Sequence, residues 1–133
     1  MAFVVDNSMM VAWMIRRQSD RDSRNALERT RREAVHAPSV WPLEFLNTLL
    51  MLERRALLVA HEVQGILTRA NRLQVHVEPA PAGNDALLRL ARDTRLSIYD
   101  ASYLELAQRR GLPLATRDRA MTLAAQRVGI ALV

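Results

Sequence analysis

The most constraining feature of this chain is a short apolar run near its start that ends abruptly at an acid. Residues 3–5 are aromatic and β-branched, and Asp6, Asn7 and Ser8 follow them directly. Such a run predicts a buried strand. Asp6 then lies at the strand's carboxyl end, where parallel α/β sheets bind ligands. Asp6 or Ser8 could equally cap the helix that follows, so the test is whether other acids converge on the same place.

Apolar periodicity along the rest of the chain predicts an alternation of strands and helices. Predicted strands occupy residues 3–5, 35–38, 75–77, 113–116 and 130–133. Predicted helices occupy residues 9–15, 21–35, 41–55, 59–73, 84–95, 98–110 and 119–128, with a loop at 78–83. Asn84 or Asp85 is expected to cap the fifth of these helices, and Ser97 the sixth, which Gly111 ends. This alternation favours an α/β fold with a parallel sheet covered by helices on both faces.

The composition fits one globular domain spanning residues 1–133. Half of the residues are hydrophobic (50%) and a quarter are charged (25%), the usual balance of a folded protein. No apolar stretch has membrane-spanning length, and the start of the chain lacks the features of a signal peptide. Cysteine is absent, which excludes disulfides and thiolate metal sites. We therefore expect a cytoplasmic protein without membrane contact.

The charged residues favour a polyanionic partner and exclude some chemistries. The net charge is +5, and all 19 basic residues are arginines. An excess of arginine suits phosphate binding, although biased genome composition would produce the same pattern. Because lysine is absent, a receiver-like signalling domain is excluded, since it needs one opposite its phosphorylated aspartate. A phosphatase-type hydrolase needs an acid two residues after its nucleophilic aspartate, and Ser8 stands there instead.

Glu44 is conspicuous because the predicted helix around it is otherwise almost entirely apolar. Asn47 and Thr48 follow at the i+3 and i+4 spacings and therefore share its face. A lone carboxylate on a buried helix is unfavourable unless it is paired or bound to metal. Glu44 therefore either lines a polar cleft or, as an acid near the helix start, interacts with the helix macrodipole.

Two further acids follow the same logic. Asp100 shares a helix face with Leu104 and Ala107, which should point into the core. Asp118 follows the fourth predicted strand by two residues and repeats the elements seen at Asp6: an apolar strand, a carboxylate with a small hydroxyl residue beside it, and a helix. Each acid could also stabilise a helix start, but one shared pocket explains all of them together. We expect Asp6 and Asp118 to lie side by side if their strands are adjacent at the sheet's switch point.

Four segments containing these acids resemble the motifs of PIN-domain ribonucleases, in particular the small VapC-type toxins of bacterial toxin–antitoxin pairs. They are Val-Asp-Asn-Ser at 5–8, Pro-Leu-Glu-Phe-Leu-Asn at 42–47, Leu-Ser-Ile-Tyr-Asp-Ala-Ser-Tyr-Leu-Glu-Leu-Ala at 96–107 and Ala-Thr-Arg-Asp at 115–118. The resemblance covers essentially the whole chain, and Tyr-Asp-Ala-Ser-Tyr-Leu is its most specific part. Arg119 and Ala120 stand where some relatives carry another acid or amide, so a fifth ligand has no counterpart here.

The resemblance implies a PIN-like three-layer α/β/α sandwich around a central parallel sheet of about five strands. It also implies a metal-dependent endoribonuclease, the toxin of a type II toxin–antitoxin system, in which carboxylate-bound Mg²⁺ or Mn²⁺ activates water to cleave RNA. RNA is then the substrate and a VapB-type antitoxin the protein partner. The alternative is a non-catalytic RNA-binding or regulatory protein that kept the fold.

On this hypothesis, the catalytic and metal-binding residues are Asp6, Glu44, Asp100 and Asp118. Three neighbours would hold carboxylates or waters in place: Ser8, Asn47 and Thr116. Mutual repulsion among the four acids should raise the pKa of at least one of them. Bound metal should therefore stabilise the fold. The three histidines show no metal-ligand spacing: His36, His61 and His76.

The apolar helices across residues 41–73 carry more hydrophobic surface than one face of a sheet should bury. Either all of this surface lies in the core, or part of it forms a contact with another chain. The second reading predicts a groove for an antitoxin helix or a homodimer interface. We expect a homodimer.

Overall fold

The computed structural model describes residues 1–79 and 83–133, which form four β-strands and seven α-helices. The strands are β1 (Ala2–Val5), β2 (Ala34–Pro38), β3 (His76–Glu78) and β4 (Leu114–Ala115). The helices are α1 (Asn7–Met14), α2 (Arg21–Arg29), α3 (Trp41–Arg54), α4 (Ala60–Arg72), α5 (Asn84–Thr94), α6 (Ile98–Arg110) and α7 (Arg119–Arg127). A short 3-10 turn, Arg16–Gln18, joins α1 to α2.

All four strands are parallel and lie in the order β3-β2-β1-β4. Successive connections move from β1 to β2 and β3 in one direction, and the last strand returns to the other side of β1. Val5 is paired with Ala115, and the backbone N–H of Asp6 donates to the carbonyl of Ala115 at 3.1 Å. The strand order therefore reverses between β1 and β4, and the predicted adjacency of Asp6 and Asp118 at the switch point is confirmed.

Helices flank this sheet in a three-layer α/β/α sandwich, as predicted. Helix α6 packs on β1 and β2 and is covered by α5, whereas α1 packs against α2, α3 and α4. The aromatic ring of Phe3 on β1 meets that of Trp13 on α1 edge-on, with 6.3 Å between ring centroids. The side chains of β1 at Phe3, Val4 and Val5 are completely buried, which puts this strand at the centre of the core.

The prediction of about five strands is wrong by one. Residues 130–133 form a single parallel bridge, from Leu132 to Leu114, instead of a strand. The backbone N–H groups of Leu114 and Val133 complete it, donating to Ala131 and Leu114 at 2.9 Å each. The neighbouring strand β4 is itself only two residues long.

Two other predicted boundaries shift for physical reasons. The helix predicted over 21–35 ends at Arg29 because Val35, which is buried, pairs with Phe3 in the sheet. Neither Asn84 nor Asp85 caps α5, since its N-cap is Gly83. Residues 80–82 of the predicted loop at 78–83 lie outside the described residues, and Glu78 belongs to β3. No helix within 1–79 and 83–133 has the length and apolar character needed to cross a membrane.

Candidate active site

A cavity of about 470 Å³ opens where β1 and β4 end, and all four predicted acids line it. Its walls also contain Asn7, Ser8, Val11, Gln18, Thr48, Leu52, Tyr103 and Arg117. A larger cavity of about 770 Å³ lies between the end of α1 and α4, but Glu62 is its one acid among the described residues. The larger cavity is therefore not the better candidate for an active site. The smaller one is, because four carboxylates converge on it.

The acids reach the pocket from the starts of four helices. Asp6 is the N-cap of α1 and Asp118 that of α7, while Glu44 and Asp100 lie in the first turns of α3 and α6. Helix N-termini carry partial positive charge and stabilise nearby anions. The two readings left open by the sequence are therefore compatible, because each acid both stabilises a helix start and lines the pocket.

Asp6 is the most buried of the four, with 3% of its surface exposed. Its Oδ1 accepts hydrogen bonds from Ser8 Oγ at 2.7 Å and from the Met9 backbone N–H at 2.9 Å. Its Oδ2 accepts from Thr116 Oγ1. Burial raises the pKa of Asp6 to about 6 against these hydrogen bonds, and the charge of Asp118 adds a smaller increase. The raised pKa expected from repulsion is present, but its main cause is desolvation.

Ser8 and Thr116 link the two loops that follow β1 and β4. Ser8 Oγ accepts a hydrogen bond from the backbone N–H of Arg117 at 2.9 Å, in addition to donating to Asp6. Thr116 Oγ1 accepts from the backbone N–H of Asp118 at 3.0 Å. The structure thus places two of the three predicted supporting residues against the carboxylate of Asp6, across the switch point.

Glu44 is held by a residue that the sequence analysis missed. The hydroxyl of Tyr103 donates to Glu44 Oε1 at 2.5 Å, and Tyr103 is 1% exposed. Burial raises the pKa of Tyr103, so the phenol stays protonated as a donor. The pKa of Glu44 is also raised by burial, the Tyr103 hydrogen bond opposing this and the charge of Asp100 adding to it. Tyr103 lies three residues after Asp100, a spacing that could have identified it as a neighbour on the same helix face.

The pKa of Asp100 is raised as well, for two reasons. Burial raises its pKa, the charge of Asp118 raises it further, and a hydrogen bond from Ser97 opposes both. Ser97 caps α6 as predicted, accepting from the backbone N–H of Asp100 at 3.0 Å. Asp100 thus interacts electrostatically with both Asp118 and Glu44.

The expectation that Asn47 supports the pocket is corrected by the structure. The side chain of Asn47 is exposed and does not line the pocket. Thr48 takes that place. Successive residues of an α-helix are rotated by about 100° around the helix axis. Asn47 (i+3) and Thr48 (i+4) therefore lie on opposite sides of Glu44, and the side with Thr48 faces α1. Thr48 Oγ1 donates to the carbonyl of Glu44 and accepts from Asn7 Nδ2, at 3.0 Å each.

Asn7 lines the pocket but has a buried side-chain oxygen without a hydrogen-bond partner among the described residues. Because Thr48 Oγ1 donates to a carbonyl, it must accept from Asn7, which fixes the amide nitrogen towards α3. Asn7 Oδ1 is buried and has no hydrogen-bond partner among the described residues. An unpaired buried acceptor is unfavourable for the folded state.

The donor set fits a magnesium or manganese ion held in part through water. The candidate ligands in the pocket are carboxylate and amide side chains, which bind metal through oxygen. Oxygen is the ligand atom that these hard ions prefer. Within the described residues, however, no three His, Asp or Glu side chains lie close enough to ligate one ion together. Mg²⁺ commonly keeps several waters and takes one or two carboxylates directly, which this pocket can provide. The three histidines lie elsewhere: His36 and His76 stack beside Glu78, and His61 lines the larger cavity.

The chain is similar to known proteins over almost its full length. The family described as PIN domain matches residues 3–126. Ribonuclease VapC3 of Mycobacterium tuberculosis is 36% identical over 124 residues, covering 91% of this chain and 85% of the relative.

Solved structures share the fold. The structure of PAE2754 from Pyrobaculum aerophilum superposes with a TM-score of 0.65 at 24% identity, covering 92% of this chain and 85% of the other. A toxin–antitoxin complex from Klebsiella pneumoniae gives a TM-score of 0.57 at 17% identity, with coverage of 88% and 87%. The switch-point pocket, the sequence match and the shared fold agree: this chain belongs to the PIN-domain family and is similar to its VapC ribonucleases.

Proposed function

We propose that this protein is a metal-dependent endoribonuclease and the toxin of a type II toxin–antitoxin pair. The observation that carries the proposal is the convergence of Asp6, Glu44, Asp100 and Asp118 from four helix starts on one pocket. Similarity to a protein named ribonuclease VapC3 supports RNA as the substrate. A net charge of +5 favours association with a polyanion.

Different residues of the pocket would have different roles in phosphodiester hydrolysis, and Asp6 and Asp118 are the candidates to bind the metal ion. Bound Mg²⁺ or Mn²⁺ would supply charge stabilisation at the phosphate and increase the acidity of a coordinated water. Asp6 Oδ2 carries one hydrogen bond, from Thr116, and keeps a lone pair for the ion. Asp118 accepts from Ala120 and Met121 through Oδ1, so its Oδ2 can face the ion.

Glu44 is suited to orient the attacking water and accept its proton. Its raised pKa brings a carboxylate closer to the range of an effective general base. The hydrogen bond from Tyr103 fixes Oε1 and leaves Oε2 to meet the water. Asp100 interacts electrostatically with both Asp118 and Glu44. It is the fourth carboxylate that lines the pocket.

The decisive experiment measures cleavage of a defined single-stranded RNA with Mg²⁺, with Mn²⁺ and with chelator. We expect the wild-type protein to give products only with metal, and Asp6→Asn to give none. Asp93→Asn, which changes an exposed acid on α5, is the matched control and should behave like wild type. In the same preparations, Mg²⁺ should raise the thermal midpoint of wild type and Asp93→Asn, but not of Asp6→Asn. Cleavage by Asp6→Asn at the wild-type rate would contradict the site, and metal-independent RNA binding without products would identify the non-catalytic alternative.

Two protein contacts belong to the same proposal. A VapB-type antitoxin is supported by the resemblance to VapC toxins and by the fold shared with a chain of a toxin–antitoxin complex. A homodimer is supported by α3, whose outer side exposes Leu43 (71%), Leu46 (48%) and Leu50 (40%). Exposed apolar patches of this kind mark protein contacts.

A further inference from the structure

The carboxylate pocket contains one cationic side chain among the described residues that line it, Arg117. Four carboxylates by themselves would repel the phosphates of an RNA strand. A guanidinium at the same wall offsets that repulsion, and its planar fork of N–H donors matches the oxygens of a phosphate. The question is whether Arg117 is held where a phosphate would need it.

Both ends of Arg117 are fixed. Its backbone N–H donates to Ser8 Oγ at 2.9 Å, and Ser8 also donates to Asp6. Its side-chain Nε donates to Asp20 Oδ2 at 3.1 Å. Nη2 lies 3.0 Å from the same oxygen in an ion pair. The side chain is 29% exposed, so it lies at the pocket wall with part of its surface open. Its orientation is therefore set before any substrate arrives.

The carboxylate that holds Arg117 is anchored outside the pocket. Asp20 is the N-cap of α2, where its Oδ1 accepts from the backbone N–H of Ser23 at 2.8 Å. Ser23 Oγ accepts in return from the backbone N–H of Asp20 at 2.9 Å. These bonds with Ser23, more than Arg117, lower the pKa of Asp20 and keep it ionised. One oxygen of Asp20 thus caps the helix and the other positions the guanidinium.

The hydrogen bond to Asp20 uses the Nε–H, one of the five N–H donors of the Arg117 guanidinium. The two donors on Nη1 take part in neither the hydrogen bond nor the ion pair with Asp20. We propose that Arg117 is a substrate-binding residue that contacts an RNA phosphate at the carboxylate pocket, and that Asp20 is the positioning residue that orients it. This inference rests on the proposed ribonuclease function and identifies the part of the substrate that the pocket wall recognises.

The first test compares Arg117→Ala with Arg109→Ala in steady-state cleavage of a single-stranded RNA by the full chain with Mg²⁺. Arg109 is the matched control because it also pairs with an acid, Glu105 at 2.8 Å, but on the exposed surface of α6. We expect Arg117→Ala to raise KM by roughly tenfold or more, with a smaller change in kcat, because a charge-assisted hydrogen bond to phosphate is lost. Arg109→Ala should leave both constants near wild type.

A second readout separates phosphate binding from a merely structural ion pair. RNA affinity is measured against salt concentration in the Asp6→Asn background, where bound RNA is not cleaved. Removing one phosphate contact should reduce the magnitude of the slope of log K against log salt by about 0.7. If Arg117 only forms a structural ion pair with Asp20, its removal would leave that slope unchanged. Arg117→Lys should restore part of the affinity, since the charge remains but the fork does not.

Asp20→Asn tests the positioning residue without removing the helix cap, because asparagine is an equally good N-cap. With its oxygen capping α2, the asparagine turns its NH2 group towards the guanidinium. That group cannot accept a hydrogen bond from Arg117, so KM should rise, but by less than in Arg117→Ala. In the double variant, Asp20→Asn should add nothing to Arg117→Ala, since the two act as one unit.

An unchanged KM and salt slope in Arg117→Ala would overturn this inference even if thermal stability fell. That result differs from failure of the proposed function, in which the wild-type protein itself yields no metal-dependent products.

Discussion

Asp6 is the residue at which stability and function oppose each other most directly. Its hydrogen bonds with Ser8, Thr116 and the start of α1 favour the folded chain. Its burial, however, makes the charged form costly and raises its pKa to about 6. A carboxylate kept in this way is typical of functional sites, where perturbed pKa values concentrate.

The raised pKa of Asp6 predicts a pH dependence of stability with a definite sign. The folded chain binds this proton more tightly than the unfolded chain, whose Asp titrates near 3.8. The free energy of unfolding should therefore fall as pH rises from about 4 to about 6. Asp6→Asn should remove this component and stabilise the metal-free protein at pH 7.5 by about 1–3 kcal/mol.

Urea unfolding with chelator at about pH 4.5, 6 and 7.5 measures this difference. Asp93→Asn serves as the control for loss of one surface charge. A variant Asp6→Asn that is less stable than wild type at every pH would show that the hydrogen bonds of the carboxylate outweigh its desolvation.

At the scale of elements, the pocket is an arrangement of helix starts. Helices α1, α3, α6 and α7 each present an acid at the N-cap or in the first turn. The sheet places two of these starts directly after neighbouring strands. A local rule that stabilises helices thus provides, once the helices are packed around one switch point, a cluster of oxygen ligands.

Asp118 allows the capping and pocket roles to be separated. Its Oδ1 accepts from the backbone N–H groups of Ala120 and Met121, at 2.8 and 3.3 Å. Asp118→Asn keeps the cap and also relieves repulsion with Asp6 and Asp100, so its stability should equal or exceed that of wild type. Asp118→Ala loses the cap and should be about 1 kcal/mol less stable than Asp118→Asn.

Both Asp118 variants should lose RNA cleavage, because both remove the charge from the pocket. Chemical denaturation and a cleavage assay on the same preparations provide the comparison. If Asp118→Ala were as stable as Asp118→Asn, the cap would contribute nothing to α7. If Asp118→Asn kept full activity, Asp118 would not be a ligand.

At the scale of the whole molecule, α3 uses its two sides differently. Its inner side buries Trp41, Phe45 and Leu49, and its outer side exposes Leu43 and Leu46. The expectation of excess apolar surface across residues 41–73 is met on this outer side. The structure therefore shows an exposed apolar face on α3, and the homodimer stays a prediction.

The dimer prediction is tested by size-exclusion chromatography with light scattering. The wild-type protein should elute at twice the mass of one chain, and Leu46→Glu should elute as a monomer with its fold intact. Leu123→Glu, which places a charge at an exposed leucine of α7, is the matched control and should stay dimeric. A wild-type monomer at high concentration would contradict the prediction.

The sequence by itself determined the features that depend on neighbours along the chain. Apolar periodicity identified the strand before Asp6 and each of the seven helices, because burial of one face repeats at fixed spacing. The placement of an acid between a strand and a helix at Asp6 and at Asp118 followed from the same local pattern. The resemblance to PIN domains added the expectation that Glu44 and Asp100 share their pocket.

Only the tertiary structure decided contacts between segments distant in the chain. It chose Thr48 over Asn47, because the packing of α3 on α1 selects one side of Glu44. It joined Tyr103 to Glu44 and Arg117 to Asp20, pairs separated by 59 and 97 residues. It also reduced the fifth strand to a single bridge at Leu132. Periodicity reports which face of an element is buried, whereas the partner across that face is set by the packing of the whole chain.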